Sequence, residues 1–432
     1  MKLEVTNANY LATIVKVKNL VDVGLNTLMA LPIFGIQALV PKTTKEGDLL
    51  VLFPAEVQLS EDYCRMNNLY RKSELNFDQT KTGYIEENRR VRAIKLGGQF
   101  STALAMPLDS LSNLGFKDIS SLKEGDTFNN IDGKEICKKY QIKENTTGER
   151  GNNIRGLNKK FKRVETKLFP EHLDSEQYLR NSDKIQDNEI VIISQKLHGS
   201  SGRFANILVN RELKWFEKIL KKLGLPVIEQ EYGYVAGSRR TVKDSTNNNS
   251  NHYYSTDIWN NILEKYKLQI PKGYIIYGEI VGYTQDGGMI QKGYHYGQKE
   301  KESELYVYRV VHMNPDGIGI DLTFHQMKTW CKQNGFKTVP ELATMLHSEF
   351  KLIRENYQEV NYAKLQRKYM THAGNSLYID QPLDNGDEVP EEGVCIRVDG
   401  LTPYILKMKN QSFLIGESKQ LDSGEIDIES AN

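Results

Sequence analysis

The chain has 432 residues, which is enough for about two or three domains. Hydrophobic residues make up 39% and charged residues 26%, an ordinary globular composition that excludes a disordered or fibrous protein. The formal net charge of +1 excludes a global field that would draw the protein onto nucleic acid or membrane. Any nucleic-acid contact must therefore come from local patches.

The cysteines indicate a reducing compartment. They lie far apart and form no C-x-x-C pair, so neither a zinc site nor a disulfide partner is expected; they are Cys64, Cys137, Cys331 and Cys395. The N-terminus lacks the apolar region of a signal peptide, and no apolar run reaches the ~18 residues that span a membrane. We expect a cytoplasmic protein without a membrane partner.

Residues 1–145 are predicted to form a small β-barrel domain. Short β-branched or alternating runs such as "YLATIVKVKNL", "GDLLVLFP" and "TALAMPL" are separated by Gly and Pro. The stretch "LSEDYCRMNNLYRKSEL" predicts a short helix and a loop. Basic side chains cluster near "RRVRAIKL" and are candidates for contacts with a phosphate backbone; they are Arg89, Arg90, Arg92 and Lys95.

Residues 146–165 are interpreted as a linker because they lack an apolar period and contain several glycines. A basic cluster in this segment is either simply solvated or contacts nucleic-acid phosphates beside an active site. Its members are Arg155, Lys159, Lys160, Lys162 and Arg163.

Residues 166–432 change to a mixed pattern of strands and helices, which predicts an α+β domain. Strands are predicted at "EIVIISQKL", "GYIIYGEIVG", "ELYVYRVVHM", "EEGVCIRVDG" and "YILKMKN". Helices are predicted at "NRELKWFEKILKKLG", "STDIWNNILEKYKL" and "LTFHQMKTWCKQNGF", and from Glu341 to about Met370. The last ~20 residues are polar and are expected to fray.

The segment "ISQKLHGSSGRF" places Lys196 at the end of an apolar, β-branched run. Burial and neighbouring cations both lower the pKa of an amine, and this is how a lysine becomes a nucleophile near neutral pH. Gly199 permits close approach of the backbone to a ligand. Taken alone, this pattern also describes a lysine that extends from a strand edge into water.

Further polar residues fall at predicted strand ends and strengthen the interpretation of Lys196 as a nucleophile. Lys407 and Lys409 are two residues apart and should share one face of a strand, as should Tyr306 and Tyr308. The carboxylates Glu279, in "YGEIVG", and Glu392, in "EEGVCIR", accompany them. Each could singly be an ordinary edge or core residue, but together they fit a pocket for a purine nucleoside triphosphate.

The order "KLHGSS", "SRR", "YGEIVG", "ELYVYRV", "EEGVCIR", "LKMK" resembles motifs I, Ia, III, IIIa, IV and V of the covalent nucleotidyltransferases. This superfamily comprises RNA ligases, DNA ligases and capping enzymes. "K-x-H-G" with "LKMK" is most similar to the ATP-dependent RNA ligases. The N-terminal stretch is similar to the Deinococcus/Naegleria-type clade, which implies an OB-like β-barrel ahead of an adenylyltransferase domain of antiparallel sheets and helices.

The resemblance also implies roles for individual residues. Lys196 would attack the ATP α-phosphate and carry AMP, and Lys407 and Lys409 would bind that phosphate and stabilise its transition state. Glu392 would orient a hydrated Mg²⁺ or Mn²⁺. His198 is a further candidate for the metal, through water.

The remaining residues would contact the nucleoside. Glu279 would hold the ribose hydroxyls, with Gly199 and Ser201 close by. Arg239 would contact the sugar or a phosphate, although Arg240 beside it leaves the register open. Either Tyr308 or Tyr306 would stack on adenine.

The implied function is an ATP-dependent RNA ligase that joins 3′-OH and 5′-phosphate ends, at nicks in RNA-containing duplexes, as a monomer. Because every motif follows residue 190, the AMP pocket is expected to be complete without the N-terminal domain. Alternatives are a DNA ligase or a GTP-using capping enzyme, which usually carry a barrel after motif V, where this chain has little room. A non-catalytic RNA-binding relative is the third, and the intact lysines and glutamates count against it.

Overall fold

The computed structural model describes residues 1–140, 162–243, 254, 256–355, 380–386 and 389–422, apart from residues 8, 35 and 56. Antiparallel strand pairing dominates both halves of the chain, and helices are packed against the sheets. The predicted α+β fold class is therefore confirmed. Most of the predicted linker, residues 146–161, lies outside the described residues.

Short strands form the N-terminal region, as its alternating apolar runs predict. A six-stranded sheet has the spatial order β10 (Thr127–Phe128), β2 (Ala12–Lys16), β5 (Leu49–Pro54), β9 (Ala103–Pro107), β4 (Ile36–Pro41) and β3 (Leu28–Ile33). Smaller groups are β1 (Leu3–Glu4) with β11 (Asn130–Ile131) and β12 (Lys134–Glu135), β6 (Val57–Leu59) with β13 (Cys137–Lys139), and β7 (Ile94–Leu96) with β8 (Gln99–Ser101). Among the described residues, this pairing does not close into a barrel.

The N-terminal sheets enclose apolar clusters that contain no residue beyond Cys137. Helix α1 (Glu61–Met66) begins where predicted, because Ser60 Oγ accepts a hydrogen bond from the backbone N–H of Tyr63 and so caps it. The prediction that the basic side chains near "RRVRAIKL" are available at the surface is wrong for Arg90. Arg90 is only 1% exposed and contacts the C-terminal part of the chain, so it cannot meet RNA on the surface.

Two sheets form the second half of the chain. The five-stranded sheet has the order β14 (Glu176–Gln177), β25 (Tyr404–Lys409), β24 (Gly393–Val398), β15 (Ile190–Lys196) and β23 (Glu341–Leu346). The seven-stranded sheet has the order β18 (Val242–Lys243), β17 (Gln230–Gly237), β16 (Ser200–Asn210), β19 (Tyr274–Gly282), β20 (Ser303–Met313) and β21 (Gly319–Asp321), and β22 (Lys337–Thr338) pairs with β20. Strand β15 leads directly into β16 through the "KLHGS" segment, so Lys196 lies where the chain crosses from one sheet to the other.

The helices of this half are α2 (Tyr178–Asn181), α3 (Trp215–Lys222), α4 (Ile258–Tyr266), α5 (Phe324–Gln333), α6 (His347–Glu355) and α7 (Gln411–Asp422). Helices α3, α4 and α5 confirm three sequence predictions, and the chain leaves α3 through Gly224 at φ +76°. No helix among the described residues is long and apolar enough to cross a membrane. The four cysteines are free thiols.

Two secondary-structure predictions are wrong. Residues 341–346 form strand β23 instead of the start of a helix, because they complete the edge of the five-stranded sheet beside β15. The first part of the C-terminal stretch expected to fray instead forms α7 up to Asp422, and residues 423–432 lie outside the described residues. This helix is held by buried side chains, including Phe413, Glu417 and Ser418.

Candidate active site

The predicted motifs converge on one cavity of about 650 Å³ between the two sheets, a volume typical of a small-molecule site. Seven of the predicted site residues line it: Lys196, Ser201, Arg239, Glu279, Tyr308, Lys407 and Lys409. The elements that carry them are far apart in the sequence, and strand pairing brings them together.

Lys196 is the last residue of β15 and forms an ion pair in the cavity wall. Its Nζ lies 2.7 Å from Oε1 of Glu392, a carboxylate that is 1% exposed. The register explains the contact, since Lys196 pairs with Gly393 across β15 and β24. Strand pairing alone therefore brings the predicted nucleophile to the motif IV glutamate.

Gly393 is required at this crossing. Its φ is +148°, and a Cβ atom at this position would lie 2.0 Å from the backbone oxygen of Met408 on β25. A side chain would therefore separate the two strands that carry Glu392 and Lys409.

The two motif V lysines share one face of β25, as the alternation predicted. Leu406 and Met408, which alternate with them along the strand, are buried, whereas Lys407 and Lys409 are half-buried and line the cavity. Cys395 is the partner of Lys407 across the ladder. Burial raises the pKa of its thiol to about 11, and the positive charges of Lys196 and Lys407 oppose that rise.

Glu279 faces the "HGSS" turn from β19. Its Oε1 accepts a hydrogen bond from the backbone N–H of Gly199 at 3.2 Å, and its Oε2 accepts one from Ser201 Oγ at 3.4 Å. A Cβ at Gly199 would lie 2.3 Å from the backbone oxygen of Ile280, so this turn needs glycine. The indole Nε1 of Trp259 on α4 donates a hydrogen bond to the Ser201 carbonyl at 3.0 Å and so holds the turn in place.

The structure distinguishes the two candidate tyrosines. The ladder between β19 and β20 shifts register between Tyr277 and Gly278, and Tyr308 lies at that shift and lines the cavity. Its hydroxyl is 2.6 Å from Nδ1 of His172. Tyr306 is 6% exposed within the core and does not line the cavity.

Residues 189–409, just over half of the chain, match the family model for RNA ligase. The chain belongs to the RNA ligase family. A mutant of the Naegleria gruberi RNA ligase with AMP and Mn has a similar fold: its TM-score is 0.53 at 17% identity, over 93% of this chain and 97% of that chain.

Two other N. gruberi structures match similarly at 17% identity. One is the RNA ligase with PPi (TM-score 0.54, covering 94% of this chain and 98% of that chain). The other is a mutant with ATP and Mn (TM-score 0.52, covering 96% and 99%). Curated protein sequences gave no match. The resemblance to the RNA ligase branch inferred from the motifs is thus confirmed.

The "SRR" segment of this RNA ligase presents both arginines to the cavity, so the register of motif Ia remains open. Arg239 Nη2 lies 3.0 Å from Oδ1 of Asp174, an exposed carboxylate. The backbone oxygen of Arg240 instead accepts a hydrogen bond from the buried Arg203. The side chain of Arg239 is held at the rim by a partner that a phosphate could displace.

His198 and Glu392 both lie outside the residues that line the cavity. The ring of His198 lies between Tyr294 and Phe413 in edge-on contacts of 4.8 and 4.9 Å, and its Nδ1 is 3.8 Å from Glu392 Oε2. The backbone N–H of His198 donates to the Tyr296 hydroxyl at 2.8 Å. His198 therefore packs beside the Glu392 carboxylate.

Glu392 is the carboxylate predicted to hold a divalent cation. Apart from Lys196 Nζ, which lies 2.7 Å from Oε1, the oxygens of that buried carboxylate have no hydrogen-bond partner among the described residues. No cluster of three His, Cys, Asp or Glu side chains able to hold a metal occurs in the described part of the chain. One carboxylate combined with water and substrate phosphates is the arrangement that Mg²⁺ commonly accepts.

The N-terminal domain supplies part of the cavity wall, which the sequence did not predict. Lining residues from it are Thr6, Asn7, Asn9, Tyr10 and Lys139. Asn9 bridges to the second half of the chain, where its Nδ2 donates to the Ser175 carbonyl and its Oδ1 accepts from the Gln177 N–H. The expectation of a pocket formed wholly after residue 190 is therefore wrong. No local motif marks these residues, since only tertiary packing brings them there.

Proposed function

We propose that this RNA ligase uses ATP to join RNA 3′-OH and 5′-phosphate ends through a lysyl-AMP and a polynucleotide-adenylate. The observation that carries the proposal is the Lys196–Glu392 contact of 2.7 Å in a cavity that Lys407 and Lys409 also line. An amine beside two further cations is suited to attack on a phosphate. The ATP, AMP and Mn in the N. gruberi structures support the same chemistry.

In the first step, Nζ of Lys196 attacks the α-phosphorus of ATP. The P–N bond forms, the bond from that phosphorus to the bridging oxygen of pyrophosphate breaks, and the amine loses a proton. Lys407 and Lys409 neutralise the negative charge that the α-phosphate oxygens carry. The Lys196 ammonium group must first lose a proton to solvent, because it has no lone pair with which to attack, and its ion pair with Glu392 is lost together with that charge.

In the second step, an oxygen of the RNA 5′-phosphate attacks the phosphorus of lysyl-AMP. A P–O–P bond forms, the P–N bond breaks and Lys196 recovers its proton. In the third step, the 3′-hydroxyl attacks the RNA 5′-phosphorus, the phosphodiester forms and AMP leaves.

The other residues bind and orient the nucleotide in this proposal. Glu279 accepts hydrogen bonds from the ribose hydroxyls, and Tyr308 stacks on the adenine ring. Arg239 exchanges Asp174 for a phosphate. Glu392 holds hydrated Mg²⁺ or Mn²⁺, which, when bound, offsets the charge of the phosphates.

We further propose a division of labour between residues 1–145, as an OB-like domain, and residues 166–432, as the adenylyltransferase domain, in a monomer. The separate apolar cores on the two sides support the division. In this proposal the N-terminal domain aligns the two ends of a nicked, RNA-containing duplex, since OB surfaces bind nucleic-acid strands. Alignment of reacting ends is worth several orders of magnitude in rate.

The test is transfer of label from [α-³²P]ATP to the protein with Mg²⁺ or Mn²⁺. We expect wild-type protein to retain AMP and Lys196→Ala protein to retain none, because Lys196 supplies the amine of the phosphoramidate in this proposal. Lys196→Ala should still seal a pre-adenylylated end, which needs no enzyme nucleophile. Label from GTP alone would indicate a capping enzyme, and label from neither nucleotide would indicate a non-catalytic RNA-binding protein.

Nicked duplexes that carry RNA or DNA on each side of the nick test the substrate. We expect sealing to require RNA on at least one side. Equal sealing of an all-DNA nick would favour the DNA ligase alternative, and sealing of single strands only would contradict the role in duplexes.

A further inference from the structure

The C-terminal helix α7 connects one of the motif V lysines to the N-terminal domain. The helix follows β25 after a single residue, Asn410, whose N–H donates to the Glu392 carbonyl at 2.9 Å. The start of α7 is therefore fixed to the backbone of the buried carboxylate that contacts Lys196.

The first turns of α7 pack beneath the site. The Phe413 ring lies edge-on to His198, and Lys409 Nζ lies 5.3 Å from the centre of the same ring. One turn further on, Glu417 Oε1 accepts a hydrogen bond from Lys409 Nζ at 2.9 Å. Both side chains are largely buried, so this ion pair is protected from solvent screening.

The next residue on the helix contacts the N-terminal domain. Ser418 Oγ accepts a hydrogen bond from the Ala93 N–H at 3.1 Å, and the Ser418 carbonyl accepts one from Arg90 Nη2 at 2.7 Å. The end of α7 adds two ion pairs, since Asp422 lies 2.5 Å from Arg90 Nη2 and 3.1 Å from Arg92 Nη1. Neighbouring positions of α7, Glu417 and Ser418, thus contact Lys409 and the N-terminal domain respectively.

We infer that Glu417 is a positioning residue for Lys409 and that its own position depends on the contact between α7 and residues 90–93. The inference rests on the proposed function of Lys409 at the α-phosphate. A lysine side chain loses much of its rotamer freedom when it is held in one place. Glu417 holds it before the nucleotide arrives, so that cost does not fall on the transition state.

Docking of the N-terminal domain then affects the chemical step and not only the binding of RNA ends. A purely architectural α7 would stabilise the fold and leave the rate of lysyl-AMP formation unchanged in variants that remain folded. A weakened Arg90–Asp422 contact should therefore slow lysyl-AMP formation if α7 positions Lys409, and leave that rate unchanged if α7 only stabilises the fold.

The experiment measures single-turnover lysyl-AMP formation from [α-³²P]ATP in the full chain. Glu417→Gln removes the charge that holds Lys409, and Asp422→Asn weakens the contact with Arg90 and Arg92. By analogy with outer partners of metal ligands, we expect Glu417→Gln to lower the rate at saturating ATP by about tenfold or more. Asp422→Asn should lower it in the same direction, with the ATP concentration at half-saturation nearly unchanged in both.

The double variant Glu417→Gln/Asp422→Asn decides whether the two residues act in series. If the α7 contact acts through Glu417, the double variant reacts as slowly as Glu417→Gln alone. Rate effects that multiply to within about twofold would show independent roles and overturn the inference. Lys419→Ala is the matched control, since it alters an exposed charge on the same helix and should react like wild type.

A second comparison keeps the result interpretable if Asp422→Asn unfolds, which a shifted thermal midpoint would reveal. In a Lys409→Ala background, Glu417→Gln should have no further effect on the rate, because Glu417 acts through that lysine. A further loss in that background would overturn the inference. Wild-type protein that takes no label would instead contradict the proposed function itself.

Discussion

Lys196 pairs with Gly393 across the antiparallel ladder of β15 and β24, and the residue before that glycine, Glu392, contacts the lysine amine. The same glycine pairs with Lys409 on the other side. One backbone position without a side chain thus sets the spacing between the predicted nucleophile, its carboxylate partner and Lys409, which is predicted to bind the α-phosphate.

Gly393→Ala tests this spacing. The added Cβ would meet the Met408 backbone oxygen, and the positive φ adds strain of about 1–3 kcal/mol. We expect the free energy of unfolding in urea to fall by at least about 2 kcal/mol and lysyl-AMP formation to decline even where the protein stays folded. Gly416→Ala is the control, because a Cβ added at this helical position would meet no atom within 4 Å and alanine favours a helix. Equal stability of both variants would contradict the steric argument.

The motif V lysines should each contribute to the chemical step. Lys407→Ala and Lys409→Ala should each cost about 2–4 kcal/mol of transition-state stabilisation, by analogy with the removal of one preorganised donor. The measurement is the single-turnover rate of lysyl-AMP formation at saturating ATP. Lys265→Ala, at a half-exposed lysine on α4, should leave the rate unchanged. Near-normal rates in both single variants would show that Lys407 and Lys409 only make the strand edge polar.

Tyr308 and Tyr306 give opposite expectations because only Tyr308 lines the cavity. Tyr308→Ala should raise the ATP concentration at half-saturation about tenfold or more, since stacking of a base on an aromatic ring is worth ~1–3 kcal/mol. Tyr308→Phe keeps the ring but loses the contact with His172, so its effect should be smaller. Tyr306→Phe should leave ATP affinity unchanged. If Tyr306→Phe weakens ATP binding more than Tyr308→Ala does, the assignment is wrong.

His347 should make the fold sensitive to mild acid. It is buried, with Nε2 2.8 Å from the Tyr178 hydroxyl and with Lys351 and Asp187 near its ring. Burial, and next the charge of Lys351, lower the pKa of His347 below its usual 6.5. The unfolded chain therefore binds a proton at a higher pH than the folded chain, and stability falls as pH drops below about 6.5.

The measurement is the free energy of unfolding in urea at about pH 7.5 and about pH 5.5. His347→Gln should lose less stability than wild type over this interval because it has no imidazole to protonate. His312→Gln, at an exposed histidine, should behave like wild type. An unchanged pH dependence in His347→Gln would show that His347 does not control it.

Local patterns predicted the site residues that lie on strands. Two-residue spacing placed Lys407 and Lys409 on one face, and the apolar run before Lys196 placed it at a strand end. The same alternation could not choose between Tyr306 and Tyr308, since the register shift beside Tyr277 depends on how two strands pair. Asn9 and Lys139 were missed for a similar reason, because only the packing of one domain on the other brings them to the cavity.

Tertiary context also overrode two local expectations. The segment "ELATML" spaces its apolar residues as a helix would. It forms a strand instead, because it pairs with β15 at the edge of the five-stranded sheet. The polar C-terminal stretch was expected to fray, but Glu417 and Ser418 are buried. Glu417 pairs with Lys409 in the cavity lining, and Ser418 accepts a hydrogen bond from Ala93 in the N-terminal domain. A polar sequence does not reveal partners that lie far away along the chain.

The tryptophans give this RNA ligase an intrinsic optical reporter. Trp259 is 2% exposed, and its indole holds the turn on which Ser201 and Glu279 meet. Trp215 on α3 is 75% exposed and lies outside the cavity lining. Trp330, the third tryptophan, is half-buried and stacked on Phe336. A soluble quencher such as iodide would therefore quench Trp215 far more than Trp259 or Trp330. Occupation of the pocket could then be followed by fluorescence in the unlabelled protein.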